Sequence, residues 1–153
     1  MQSRGNMARD VVSGRTAASE LPADLKRVLA GPCVAHFATV MAGRAHVTPV
    51  WIESAANGLD LKIDIGASTQ KAANLRHCTT VCISLTDPDC SSTWYTIDGY
   101  VFATKLLTTD ENIQRLAIRN LGRRRRNPEL PRLLVTVRPT KILGESTAYT
   151  RST

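Results

Sequence analysis

The sequence lacks any apolar run near the ~18–20 residues that a membrane-crossing helix needs. Its N-terminal stretch, MQSRGNMARDVVSGRTAASE, has no apolar middle, which argues against a secretory signal. That stretch is polar and rich in small residues. A disordered leader is therefore expected over residues 1–20, with Met7 as an alternative start, and one domain over residues 21–153. The expected compartment is the cytoplasm. Aromatic residues make up only 5% of the chain, and no zinc finger or recognition helix is visible. A nucleic-acid role is disfavoured on that ground, despite a net charge of +7. Of the cysteines, Cys33, Cys78, Cys82 and Cys90, two stand four residues apart, but no second pair or histidine-rich element completes a zinc pattern. They read as reduced thiols, some of them buried. There is no internal repeat, and no nucleophile–base dyad or acid pair, so no catalytic side chain is nominated.

What is present is strand patterning. LPADLKRVLAGP reads as a short helix, with Pro22 in its first turn, a stripe of Leu25, Val28 and Leu29, and Gly31-Pro32 as its stop. CVAHFATVM and AHVTPVWIE read as a hairpin joined at AGR. On the second of these strands Val47, Pro49 and Trp51 share one face. LDLKIDI follows the AANG turn and alternates Leu59, Leu61, Ile63 and Ile65 with Asp60, Lys62 and Asp64. STQKAANLRH is a helix, and TVCISLT a fourth strand with Val81, Ile83 and Leu85 on one side. DPDCSS reads as a turn or loop. TWYTIDGYVFAT is a long fifth strand in which Gly99 marks a bulge or a close backbone approach. TTDENIQRLAIRNLG is a helix with a capping box at Thr108 and Glu111, a buried stripe of Ile113, Leu116, Ala117 and Leu121, and Gly122 at its end. RLLVTVRPTKILGE closes the chain as one strand or a pair. Six or seven antiparallel strands with helices at three connections would best hide their edges by closing into a small barrel.

One segment breaks a local rule. In ASTQKAANLR, Ala67 to Arg76, a lysine stands at a helix start, where positive charge is unwelcome by about 0.3–1 kcal/mol. An anion there would reverse the sign: Ser68, Thr69, the free N–H groups and Lys71 would all converge on a phosphate. The plainer alternative is that Ser68 or Thr69 merely caps the helix while Lys71 points into water.

The order HVTPVW, QKAANLR, DP and a glycine-bearing strand IDGYVFAT, followed by the late helix and RLLVTVRPTKILG, resembles the split-barrel flavin and deazaflavin oxidoreductases related to pyridoxamine 5'-phosphate oxidase. The likeness runs from about Leu21 to Gly144 and is greatest to the actinobacterial branch that uses coenzyme F-420. The resemblance implies a mainly β (α+β) fold, a six- to seven-stranded antiparallel split β-barrel with short helices at its connections. It implies that Thr69 and Lys71, with Ser68 and Gln70 beside them, hold a cofactor phosphate, and that Asn74 steadies that helix start. Thr48, Pro49 and Val50 would pass beneath the ring system, and Ile65 and Gly66 would meet its polar edge through their backbone. It further implies a homodimer with the cofactor site at the interface. This chain departs from the pattern in lacking the arginines that many members carry near Ala67 or Thr69 and near Ala73. It also brings Asp64 close to a site for an anion, unless that carboxylate points to solvent.

Two function classes follow. The first is an oxidoreductase that transfers hydride from a deazaflavin, with FMN as the alternative cofactor, to an electron-poor small molecule. The second is a non-enzymatic split barrel that binds FMN or haem, for which His36 and His46 are the conceivable iron ligands, although lone strand histidines are more often structural. The run Arg123 to Arg126 reads first as a solvated loop. It could also reach the anionic tail of F-420.

Overall fold

The computed structural model describes residues 20–145; the expected leader, save Glu20, lies outside the described residues, as do residues 146–153. The elements are α1 (Ala23–Ala30), β1 (Val34–Met41), β2 (Arg44–Ser54), β3 (Leu61–Gly66), α2 (Gln70–Leu75), β4 (Thr80–Asp87), β5 (Cys90–Leu107), α3 (Glu111–Leu121) and β6 (Arg132–Glu145). The strands close into a barrel in the order β1-β2-β3-β6-β5-β4, each neighbour antiparallel. Closure follows from alternation: Ala35 and Phe37, Ile63 and Ile65, Ile83 and Leu85, Ile97, Val135 and Val137 all turn into one core. Each such Val, Ile, Leu or Phe contributes about 1.5–3 kcal/mol by leaving water.

Several expectations need correction. The closing segment is one strand, not a pair. DPDCSS holds a turn, but a shorter one than its six residues, because Asp87 already pairs with Cys90 across Pro88 and Asp89. The first helix precedes the barrel rather than linking two strands, and Pro22 is its N-cap residue. The expected capping box does not form. Helix α3 begins at Glu111, and the N-cap residue Asp110 accepts from the Gln114 amide at 3.0 Å instead of from a backbone N–H. Leu121 is 47% exposed, and Gln114 takes the buried place beside Ile113, Leu116 and Ala117. Gln114 tolerates burial because both ends of its amide bond the backbone of Arg125, at 2.8 and 2.9 Å.

The alternating acids of the third strand also behave differently from a solvent-facing row. Asp60 and Asp64 are buried, because arginines on β6 meet both: Arg138 reaches Asp60 at 3.0 Å, and Arg132 reaches Asp64 at 2.8 Å. Gly99 does mark a close approach. A Cβ there would stand 2.5 Å from the Arg138 carbonyl oxygen, and the β5–β6 register shifts at that point.

Two ties hold the helices to the barrel. Arg27 of α1 bonds Asp24 at 3.0 Å and Asp87 at 2.7 Å, and Tyr95 donates to Asp24. Arg119 of α3 donates to the carbonyls of Leu29 and Gly31, which end α1, and pairs with Glu53 of β2 at 3.2 Å. No helix among the described residues is long and apolar enough to cross a membrane.

Candidate functional site

The barrel is not evenly zipped. Strands β2 and β3 pair only through Ile52–Ile63, Glu53–Lys62 and Ser54–Leu61. Beyond Ile52 they part. Pro49, Val50 and Trp51 pair with β1 alone, while Asp64, Ile65 and Gly66 pair with β6 alone. Pro49 sits where its strand has a free edge, the setting in which sheets tolerate a residue without an N–H. Each strand thus presents an edge without a ladder partner, and backbone N–H and C=O groups there are open to another molecule.

A cavity of about 430 Å³ fills this parting. Its size lies within the ~300–1,000 Å³ of small-molecule sites. Pro49, Val50 and Trp51 form one wall with Val34 of β1, and Asp64, Ile65 and Gly66 form the other. Thr69 and Lys71 enter from α2 and its cap, and Ile113 and Leu121 from α3. Arg125, Glu129 and Arg132 come from the segment that follows α3. Asn112 anchors α3 to the wall by donating to Asp64 at 2.9 Å.

Charged groups gather about Gly66, where a side chain would be crowded. A Cβ at Gly66 would meet Thr69 Cγ2 at 3.0 Å, Arg132 Nη1 at 3.6 Å and Glu129 Oε2 at 3.7 Å. Lys71 is half-buried and makes no hydrogen bond or ion pair with any described residue. Burial, and then the charge of Arg132, push its ammonium below the ordinary lysine range. Asp64, which the sequence left as a carboxylate beside an expected anion, is spoken for by Arg132 and Asn112.

The structure shows the cap that one reading of the segment 67–76 expected, and places Lys71 at the cavity. Thr69 is the cap of α2: its hydroxyl donates to the Gly66 carbonyl at 2.7 Å and accepts from Ala72 N–H at 3.4 Å. Lys71 is half-buried and lines the cavity.

Of the residues singled out from sequence, Pro49, Val50, Ile65, Gly66, Thr69 and Lys71 meet at this cavity. Thr48, Ser68, Gln70 and Asn74 do not line it. The Thr48 hydroxyl is buried without a hydrogen-bond partner, and Ser68 is exposed. Gln70 and Asn74 face a second hollow with Met41, Arg44, Ala45 and His46. Gln70 donates to Asn74 at 2.7 Å, and Asn74 donates to the buried Thr39 at 3.0 Å, which fastens α2 to β1. His36 is exposed on β1, so neither histidine reaches the cavity. Sequence reasoning missed Arg132 and Glu129 altogether. Trp51 was signalled by its place on one face with Pro49, and Arg125 by its membership of the arginine run.

No family model and no curated protein matches the sequence. Solved structures do. One named as an F-420 reductase matches with a TM-score of 0.71 and 26% identity, covering 80% of this chain and 98% of that one. A protein from Listeria innocua described as a candidate pyridoxamine 5'-phosphate oxidase has a TM-score of 0.56 and 18% identity, over 79% of this chain and 94% of its own. An FAD-binding protein from Mesorhizobium loti has a TM-score of 0.56 and 16% identity, over 81% and 94%. The last two likenesses speak to fold alone. The chain thus has the split-barrel fold of these proteins, six antiparallel strands in a ring with short helices.

Proposed function

We propose that this protein is an oxidoreductase that binds a flavin-type cofactor in the cavity between β2 and β3, and that the cofactor is the deazaflavin F-420, with FMN as the alternative. The observation that carries the reading is Lys71, a half-buried cation that forms no ion pair with any described residue, at a cavity that combines apolar walls and open strand edge with further arginines, Arg125 and Arg132. A buried unpaired charge is costly, and an anionic ligand removes the cost. The 26% identity to a reductase of F-420 supports the same choice of cofactor.

The residues present fit such a group. Gly66 puts no side chain between the backbone and Thr69 and Arg132, and Lys71 lines the same cavity, where a phosphate would lie. Pro49, Val50, Trp51 and Ile65 offer flat apolar contact to a ring system, and the unpaired edge at residues 64–66 offers backbone groups to its polar side. A bound flavin or deazaflavin supplies the hydride chemistry, and the protein supplies binding, orientation and exclusion of water. The cavity lining holds no nucleophile–base dyad, so no catalytic side chain is assigned and water serves as the proton source. The substrate class is an electron-poor organic molecule such as an enone, a quinone or a tetrapyrrole.

The reading includes a homodimer whose second subunit completes the site. Val47, Phe102 and Leu106 are exposed apolar residues on the barrel's outside, 56%, 45% and 57% accessible, and a partner surface would cover them. Light scattering at micromolar concentration should give twice the chain mass, and a monomer mass would refute the dimer. For the activity itself, reduced F-420 and reduced FMN are each mixed with a quinone and the protein. Protein-dependent oxidation of the cofactor is expected, faster with F-420. A rate equal to the protein-free control with both cofactors and several acceptor classes would overturn the enzymatic reading.

A further inference from the structure

Arg132 has no counterpart among the residues expected to hold a cofactor, yet it is the most deeply buried cation at the cavity, 5% exposed. It is the first residue of β6 and pairs in register with Gly66, and its guanidinium lies close to Gly66 at the cavity. Asp64 fixes its orientation. Nε bonds the Asp64 carboxylate at 2.8 Å, and Nη2 bonds the Asp64 carbonyl at 3.3 Å. Nη1 is left with a single long contact, 3.5 Å to the Glu129 carbonyl. Nη1 is also the nitrogen nearest Gly66 on its side-chain side, 3.6 Å from where a Cβ would stand.

We propose that Arg132, oriented by Asp64, is a second ligand-binding cation of this cavity, and that it receives with Lys71 a phosphate-type oxyanion beside Gly66. The proposal rests on the cavity being the ligand site. A buried Arg–Asp pair could serve structure alone, but such a pair has no use for Lys71, whose charge opposes that of Arg132. An oxyanion between them turns that repulsion into two attractions. The guanidinium fork suits the task, because it can hold a carboxylate on one edge and offer remaining N–H donors to another acceptor.

Glu129 gives an independent handle. It is exposed, forms no ion pair with any described residue, lines the same cavity, and its carboxylate stands 3.7 Å from where a Gly66 Cβ would be. An incoming anion meets it as a like charge.

The test compares FMN with riboflavin, and F-420 with its phosphate-free riboside, in wild type, in Asp64→Asn/Arg132→Gln and in Glu129→Gln. Inorganic phosphate is added as a separate probe of thermal stability. The ratio of affinities with and without phosphate isolates the oxyanion contact from the ring contacts. The double variant, which removes the buried pair without stranding a charge, should cut that ratio roughly ten- to a hundredfold and leave the phosphate-free ligands unaffected. Glu129→Gln should raise the ratio severalfold. If the double variant loses stability but keeps the wild-type ratio, Arg132 is a structural ion pair and the proposal falls. If the double variant does not fold, the exposed Glu129→Gln decides, and an unchanged ratio refutes. Ring cofactors that bind equally with and without phosphate would sink this inference and leave the cofactor reading standing. Conversely, if no ring cofactor binds but phosphate stabilises wild type, and more so Glu129→Gln, the oxyanion seat stands and the cofactor reading fails.

Discussion

Lys71→Met removes one charge and keeps most of the side chain's volume and apolar stem. Two effects of opposite sign follow. In the free protein, burial and the nearby Arg132 hold the Lys71 ammonium below its ordinary pKa of 10.5, so the charge opposes folding. That penalty is present at neutral pH and fades as pH rises through the depressed folded-state pKa, since the folded protein then sheds the proton more readily than the unfolded chain. The variant should therefore melt at the same temperature as wild type or higher near pH 7, and the difference should shrink as pH is raised toward 10.5. With the phosphorylated cofactor the sign reverses. Losing one charge-assisted contact should cost about 1.5–3 kcal/mol, roughly a ten- to 150-fold rise in Kd. The assay is thermal unfolding of the free protein together with fluorescence titration by F-420 and FMN at one salt concentration. A residue held for stability would behave in the opposite way. A fall in Tm with unchanged cofactor affinity would refute the reasoning.

Three further outcomes are expected. Gly99→Ala places a Cβ 2.5 Å from a backbone oxygen that cannot easily move, and should cost about 1–3 kcal/mol by urea denaturation; a neutral result would mean that β6 yields there. Asp87 is held below the ordinary 3.8 by its hydrogen bond from Arg27, against the opposing effect of burial. Its contribution is thus present above 3.8 and lost as pH falls through the lower folded value, so the stability gap between wild type and Asp87→Asn should narrow in acid, and a gap independent of pH would count against it. Changing Arg123 to Arg126 to glutamine should weaken F-420 more than FMN, at ~0.2–1 kcal/mol per exposed contact, with the difference shrinking as salt rises; equal affinities before and after would leave the run as surface charge.

The barrel was legible because strand alternation is local. Val81, Ile83 and Leu85 announce their inward face within a few residues, and Gly99 announces a crowded backbone. The order of elements carried the resemblance further, to the parting between β2 and β3, where Pro49 and Gly66 stand on opposite walls. What failed was anything set by partners remote in sequence. The alternation of Asp60 and Asp64 with apolar residues did not show that both are buried, because Arg138 and Arg132, their partners, lie on another strand. The capping box at Thr108 and Glu111 failed because Asp110 found Gln114, and Gln114 found the backbone of Arg125. Lys71 is an intermediate case. The sequence showed a charge out of place, and only the packing shows that it turns toward a cavity and toward a second cation.

The central claim is that the parting of β2 and β3 is a flavin-type cofactor site with F-420 as its occupant. Parallel titration of the purified protein with F-420, FMN and haem, read by cofactor fluorescence and absorbance, tests it most directly. The account predicts saturable binding of F-420, weaker saturable binding of FMN, and loss of both on substitution of Lys71. Binding of haem alone, or of none of the three, would contradict it.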